Sequence, residues 1–261
     1  MMKSVSLLLV FVWWAQGTGL WMQPNKFKFE VGEKMILGFR SGEGFEGDYW
    51  DMGQHKVGKL VLHNRIAETN LAGRVKATKG DNVEYVFNNV GTHLVAMESD
   101  EAFTERPADG FDAYLAENGL EYVGEERAKL GEQGAARELT TWYAKLLVQV
   151  GDKTDDTYKK QAGLKFEIMP LQNPYGLKSG DYMDCKVLYR GNIVPHALVK
   201  VWSHVGNRTF LQNVYTESDG MVRFPISNRG PWMVSCVKMV RSHSPQAEWE
   251  GMRSSLVFEI E

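Results

Sequence analysis

Cysteine is scarce in this sequence, with two in 261 residues. That excludes a small disulfide-stapled scaffold, which needs a dense set of bridges in place of a core. An excess of charge is missing as well: 30 basic side chains against 33 acidic ones leave a formal charge of -3. This balance argues against nucleic acid as the main partner, because phosphate binding needs a concentrated basic face. Neither a Gly-x-Ser-x-Gly elbow nor a His-Glu-x-x-His pair occurs, and no acid, base and nucleophile set is visible, so a non-enzymatic protein is expected. What the sequence does have is 43% hydrophobic residues, enough for one large or two modest cores.

Only one apolar run stands out. Lys3 precedes Ser6 to Ala15, ten residues that are too few to span a bilayer. Residues 1–19 are therefore predicted to be a cleavable signal peptide. Ala15 and Gly17 suit a cut before Thr18, with a cut after Gly19 as the alternative. The expectation that follows is a periplasmic protein with no transmembrane segment once the signal is removed. Its two cysteines would then meet an oxidising compartment.

Beyond Trp21, short apolar runs alternate with turn residues at roughly ten-residue spacing, the pattern of a sandwich or barrel. Strands are predicted at 26–30, 34–39, 58–63, 74–77, 83–87 and 92–98. Residues 100–138 read as a helical excursion, since Phe111, Tyr114 and Leu115 recur at helical spacing before Asn118-Gly119. The run 139–150 fits either a helix face or a pleat; its valine-rich end favours a strand. A polar, charged stretch without apolar period, 151–163, reads as a linker. Seven more strands are predicted from 165 to 259. The fold class expected is thus mainly β: two antiparallel immunoglobulin-like or transthyretin-like β-sandwich domains at 20–150 and 164–261, with a helical insertion between them.

Several motifs carry a resemblance. Trp21-Met22-Gln23-Pro24 follows the signal, and Gly91-Thr92-His93-Leu94-Val95-Ala96 is followed by Glu98-Ser99. Phe111-Asp112-Ala113-Tyr114-Leu115, Ala197 to Trp202, Asp219-Gly220 and Gly230-Pro231-Trp232-Met233-Val234-Ser235 come later. In this order the chain resembles a family of exported bacterial proteins of unknown function, often labelled the periplasmic component of a nickel or cobalt uptake system. The resemblance implies tandem β-sandwiches, a periplasmic location and metal handling, with a membrane transporter or outer-membrane protein as partner. Members commonly carry a histidine just before the aromatic-Pro motif. Here Gly17-Thr18-Gly19-Leu20 stands in its place, without an imidazole to join a metal chelate.

A divalent transition metal ion (Ni, Co, Cu or Zn) would need converging His, Cys, Asp or Glu side chains. The candidates are His93, His63 and His204, with His93 meeting His63 or His55 across sheets and His204 facing Asp219. The alternative makes His93 a hydrogen-bonded sheet residue. Cys185 and Cys236 are predicted to face one core from opposing sheets and to form a disulfide, or else to remain separate buried thiols.

Tyr49 and Trp50, in a glycine-rich loop, are candidate aromatics for stacking on a glycan or a protein partner. Gly42 to Asp48 is either the rim of a ligand mouth or a plain surface hairpin. Asp155-Asp156-Thr157 lacks the spaced oxygen ligands of a calcium loop. Gly53 to Lys59 matches the start of a phosphate loop but is followed by Leu60 and a strand.

Overall fold

The computed structural model describes residues 19–261, so all of the expected leader except Gly19 lies outside the described residues. The first half contains β1 (Gly19–Pro24), β2 (Lys28–Phe29), β3 (Lys34–Glu43), β4 (Glu46–Tyr49), β5 (Val57–His63), β6 (Glu68–Asn70), β7 (Val83–Val86), β8 (Gly91–Ser99) and β9 (Ala102–Arg106). Two helices follow, α1 (Ala108–Glu117) and α2 (Glu121–Leu130), and then the long β10 (Ala136–Val150). The second half adds β11 (Phe166–Pro170), β12 (Tyr182–Tyr189), β13 (Asn192–Ile193), β14 (Leu198–Val205), β15 (Arg208–Tyr215), β16 (Met221–Pro225), β17 (Gly230–Arg241) and β18 (Trp249–Ile260). None of the described helices is long and apolar enough to cross a membrane.

The strands form three sheets. A central ten-stranded sheet runs in the order β15-β14-β17-β18-β10-β8-β5-β6, with β2 and β9 also paired to β10. A front sheet joins β1, β3, β4 and β7, and a back sheet joins β11, β12, β13 and β16. The central sheet takes strands from both sides of the segment 151–163. Its seam is the parallel pairing of β10 with β18, from Glu138↔Trp249 to Leu146↔Val257. The sequence reading has two separate sandwiches; in the structure the two outer sheets share this one middle layer.

Alternation along the strands explains the layering. On β10, Trp142, Ala144, Leu146 and Val148 join the front core, while Tyr143 and Leu147 join the back core. On β8, Val95 and Met97 face front, and Leu94 and Ala96 face back. A strand buried on both faces loses the apolar–polar alternation of a half-buried one. This is why 139–150 reads ambiguously as a sequence and yet folds as a strand.

The predicted excursion at 100–138 is helical only in part. Residues 102–106 form β9, which pairs with the start of β10, and the helices occupy 108–117 and 121–130. Phe111, Tyr114 and Leu115 of α1 and Val123 of α2 pack on Met239, Trp249 and Ala136. The helices thus cover the part of the front face that the front sheet leaves open. α2 ends at Gly131, whose φ of 69° suits a left-handed cap. The 74–77 stretch is not a strand: a 3-10 turn spans Ala72–Arg74.

The 151–163 segment is a packed crossover rather than a free linker. Asp155 accepts the Thr157 N–H through Oδ1 and the Thr92 N–H through Oδ2, at 2.9 and 3.2 Å. Its carboxylate therefore caps a turn. Ala162, at the end of the stretch, is buried in the back core.

Candidate functional site

The predicted metal residues do not converge. His63 pairs with Leu94 across β5 and β8, so it shares the back face with Leu94, whereas His93 is one position along and points to the front. His93 is buried, its Nδ1 lies 3.1 Å from the Gly91 carbonyl oxygen, and its ring meets Phe87 edge-on at 4.9 Å. Burial holds its pKa below the ordinary histidine value. His63 Nδ1 is 3.2 Å from Glu68 Oε1 without hydrogen-bond geometry, and burial likewise lowers its pKa.

His204 bonds through Nδ1 with Thr209 Oγ1, 3.0 Å away across the β14–β15 hairpin. Its expected partner Asp219 accepts the Met221 N–H. His55 stacks on Trp50, with ring centroids 5.4 Å apart. Among the described residues, no three His, Cys, Asp or Glu side chains form a group able to hold a metal ion.

Trp50 and Tyr49 part company. Trp50 is 4% exposed and packs against Phe39, His55 and Trp142, so its ring belongs to the front core. The Trp50 N–H donates to the Phe39 carbonyl, which fixes the residue at the end of the β3–β4 hairpin. Tyr49 stays at the surface, about half exposed, with Arg40 stacked 4.4 Å from its ring centroid. Cys185 and Cys236 are free thiols buried in the same back core, so the expected bridge is not formed.

A cavity of about 50 Å³ opens at the seam between the front sheet and the helices. Its floor is the front face of β14, β17 and β18, with Lys200, Trp202, Ser235 and Arg253 on it. One wall is β1 and the tip of the β3–β4 hairpin; the other is Asn118, between the helices. The Gly119 backbone stands so close that an added Cβ would lie 2.7 Å from that of Leu198.

The hairpin tip covers this cavity for local reasons. Glu43 pairs with Glu46, leaving Gly44-Phe45 as a two-residue loop with φ of 58° and 67°. Two positive φ values mark a type I′ turn, which matches the twist of the flanking strands. Gly44 rests on Trp202, where a Cβ would come within 2.7 Å of the indole. Lys200 Nζ ties the tip down through Glu43 at 2.9 Å and reaches Glu117 of α1 at 3.2 Å. The glycine-rich stretch is thus both a hairpin and part of a cavity wall.

Beneath this seam lies a buried charge cluster that sequence reading missed. Glu138 on β10 is fully buried and receives Arg106 Nη1 at 2.7 Å, while Arg253 Nη2 is 3.3 Å from its other oxygen. Arg253 Nη2 also donates to the Tyr114 hydroxyl at 3.1 Å. The Arg253 guanidinium sits over the Tyr114 and Trp142 rings, at 5.3 and 5.6 Å. The available signal was an arginine inside the apolar stretch of β18. A charge placed there must find a buried partner.

No curated protein matches the chain in sequence. Two solved structures are distantly similar in shape. One is a tetra-tandem repeat in the extending region of a large adhesion protein, at 8% identity and a TM-score of 0.24, covering 93% of this chain and 49% of that one. The chain thus spans about half the length of that structure. The other comprises three N-terminal domains of the highly immunogenic outer capsid protein of bacteriophage RB49, at 8% identity and a TM-score of 0.22, covering 93% of this chain and 70% of that one. One family covers most of the chain: its model matches residues 15–239, and the protein belongs to that family, described as a domain of unknown function (DUF4198).

Proposed function

We propose that this is an exported, non-enzymatic binding protein, and that it binds its ligand in the cavity between the β3–β4 hairpin and the floor formed by β14, β17 and β18. The observation that carries this reading is the cavity itself. It combines the Trp202 indole on its floor with a few polar groups, the usual make-up of a small-ligand site. The hairpin tip is held by the Glu43–Lys200 pair, the Gly44–Trp202 contact and the packing of Phe45 on Trp21 and His204, and it can open without breaking the pairing of the central sheet below it. The apolar segment at 6–15 supports export. The nickel or cobalt association implied by the resemblance gains no support from His63, His93 and His204, which sit apart, and it is not part of the proposal.

The test is a small-fragment screen followed by backbone NMR. Hits should shift the amides of Trp202, Ser235 and Val237 and spare the far end of the central sheet around β6. Ser235→Leu, which fills the floor, should abolish those shifts while leaving the rest of the spectrum intact. Fragments that bind only elsewhere, or shifts that persist in Ser235→Leu, would overturn the assignment of the site.

A further inference from the structure

We infer that the group accepted by this cavity is a carboxylate, held by the Nε–H of Arg253; the inference rests on the cavity being the binding site. Arg253 is 5% exposed and lines the cavity. Its Nη2 is engaged by Tyr114 and Glu138, but its Nε is buried and has no hydrogen-bond partner. An unmatched donor on a buried cation is costly, and an anion that supplies both the acceptor and the charge removes that cost.

The charge count points the same way. One carboxylate, Glu138, serves two guanidiniums, those of Arg106 and Arg253. The cluster therefore holds one positive charge in excess. Lys200, the other cation on the floor, does not share this surplus, because Glu43 and Glu117 both pair with it. Those three groups together leave the mouth with one net negative charge.

A dianion such as sulfate meets repulsion at that mouth. A monoanion meets less, and gains the interior charge once inside. Size narrows the class further. The cavity holds roughly three or four water-sized groups, which suits a carboxylate with a short stem and excludes a bulky head.

The experiment uses the purified full chain and three probes: acetate, its neutral isostere acetamide, and sulfate. The reporter is the ¹⁵N-¹H resonance of the Arg253 Nε–Hε group, read beside the amides of Ser235 and Val237. Acetate should move all three in a saturable way. Acetamide should bind about tenfold more weakly or worse, the difference expected of a hydrogen bond between charged partners. Sulfate should leave them unmoved.

Acetamide binding as well as acetate overturns the carboxylate assignment and leaves the binding reading intact. If acetate moves none of the three resonances while fragments still bind in the cavity, the inference also fails alone. If no probe or fragment binds there, both fall together. Arg253→Lys, which keeps the positive charge but lacks the Nε–H, should weaken acetate binding about tenfold or more. The Hε reporter on the unsubstituted chain decides the question even if that variant folds poorly.

Discussion

Lys145 Nζ lies 3.0 Å from Glu167 Oε2, and neither side chain is more than 5% exposed. The pair joins β10 of the central sheet to β11 of the back sheet. Glu167 also accepts the Ala162 N–H at 3.1 Å, so the crossover at 151–163 is tied into the same contact. Desolvation holds the Lys145 pKa below the ordinary lysine value, with Glu167 opposing that shift.

Removing one member of this pair strands a charge in the core. Glu167→Leu alone is expected to cost roughly 3–5 kcal/mol, whereas Lys145→Met/Glu167→Leu should recover most of that loss. Urea unfolding of the single and double variants checks it. A double variant no more stable than Glu167→Leu would mean that the stranded lysine is not the source of the loss.

Gly251 is needed for a packing reason. A Cβ there would lie 1.7 Å from Glu138 Oε1, inside the buried carboxylate. Gly251→Ala should cost about 3 kcal/mol, because that carboxylate is already fixed by two arginines and has no room to retreat. Thermal unfolding measures it, and a loss near zero would show that the cluster can shift.

Acid should weaken the fold in two stages. His55, His63 and His93 all have folded pKa values held below the ordinary 6.5, chiefly by burial. Their neutral forms belong to the folded state. The stability they contribute is present above pH about 6.5 and is lost as pH falls from there through their lowered folded values. The surface carboxylates Glu33, Glu84 and Glu248, held below 4.5 by lysine and arginine partners, add a second loss at lower pH. His93→Phe should flatten the slope of unfolding free energy between pH 5 and 6.5 relative to the unsubstituted chain. An unchanged slope would remove His93 from this account.

The hairpin tip should be sensitive to one methyl group. Gly44→Ala meets both a left-handed φ and the Trp202 ring. The tip should lift, exposing Trp202 and shifting its fluorescence to the red, with only a modest drop in the unfolding midpoint because Phe45 and Trp202 pack at the edge of the front core rather than inside it. A blue-shifted or unaltered spectrum would contradict the contact.

Both thiols should be silent in the native protein. Burial pushes the Cys236 thiol up to about 12 and Cys185 higher still, so neither forms the reactive thiolate near neutral pH. Alkylation should be slow until the chain unfolds and should then label both positions. Non-reducing mass mapping that recovers a 185–236 cross-linked peptide would reverse this.

Much of the strand content was legible because turn residues and apolar runs are local signals. The start of β8 and the end of β5 fall close to where alternation puts them, and the helical spacing of Phe111, Tyr114 and Leu115 marks α1. The middle layer was not legible. Pairing of β10 with β18 is a relation between segments about 110 residues apart, and neither strand's own pattern names its partner. Trp50 was misread because burial depends on where the hairpin folds, and glycines around an aromatic suggest an open loop. Arg253 was overlooked because its role appears only once Glu138, Arg106 and Tyr114 arrive from other elements.

The parallel seam between β10 and β18 has a consequence for how the molecule comes into being. A chain interrupted after the crossover would present β10 with one flank bare, two-faced and greasy, an invitation to stick to whatever is near. The middle layer cannot close until its penultimate and final described strands have been made and brought back over a long detour. Assembly of this kind is slow, so the nascent protein has reason to stay unfolded, or shielded, until β18 has been made.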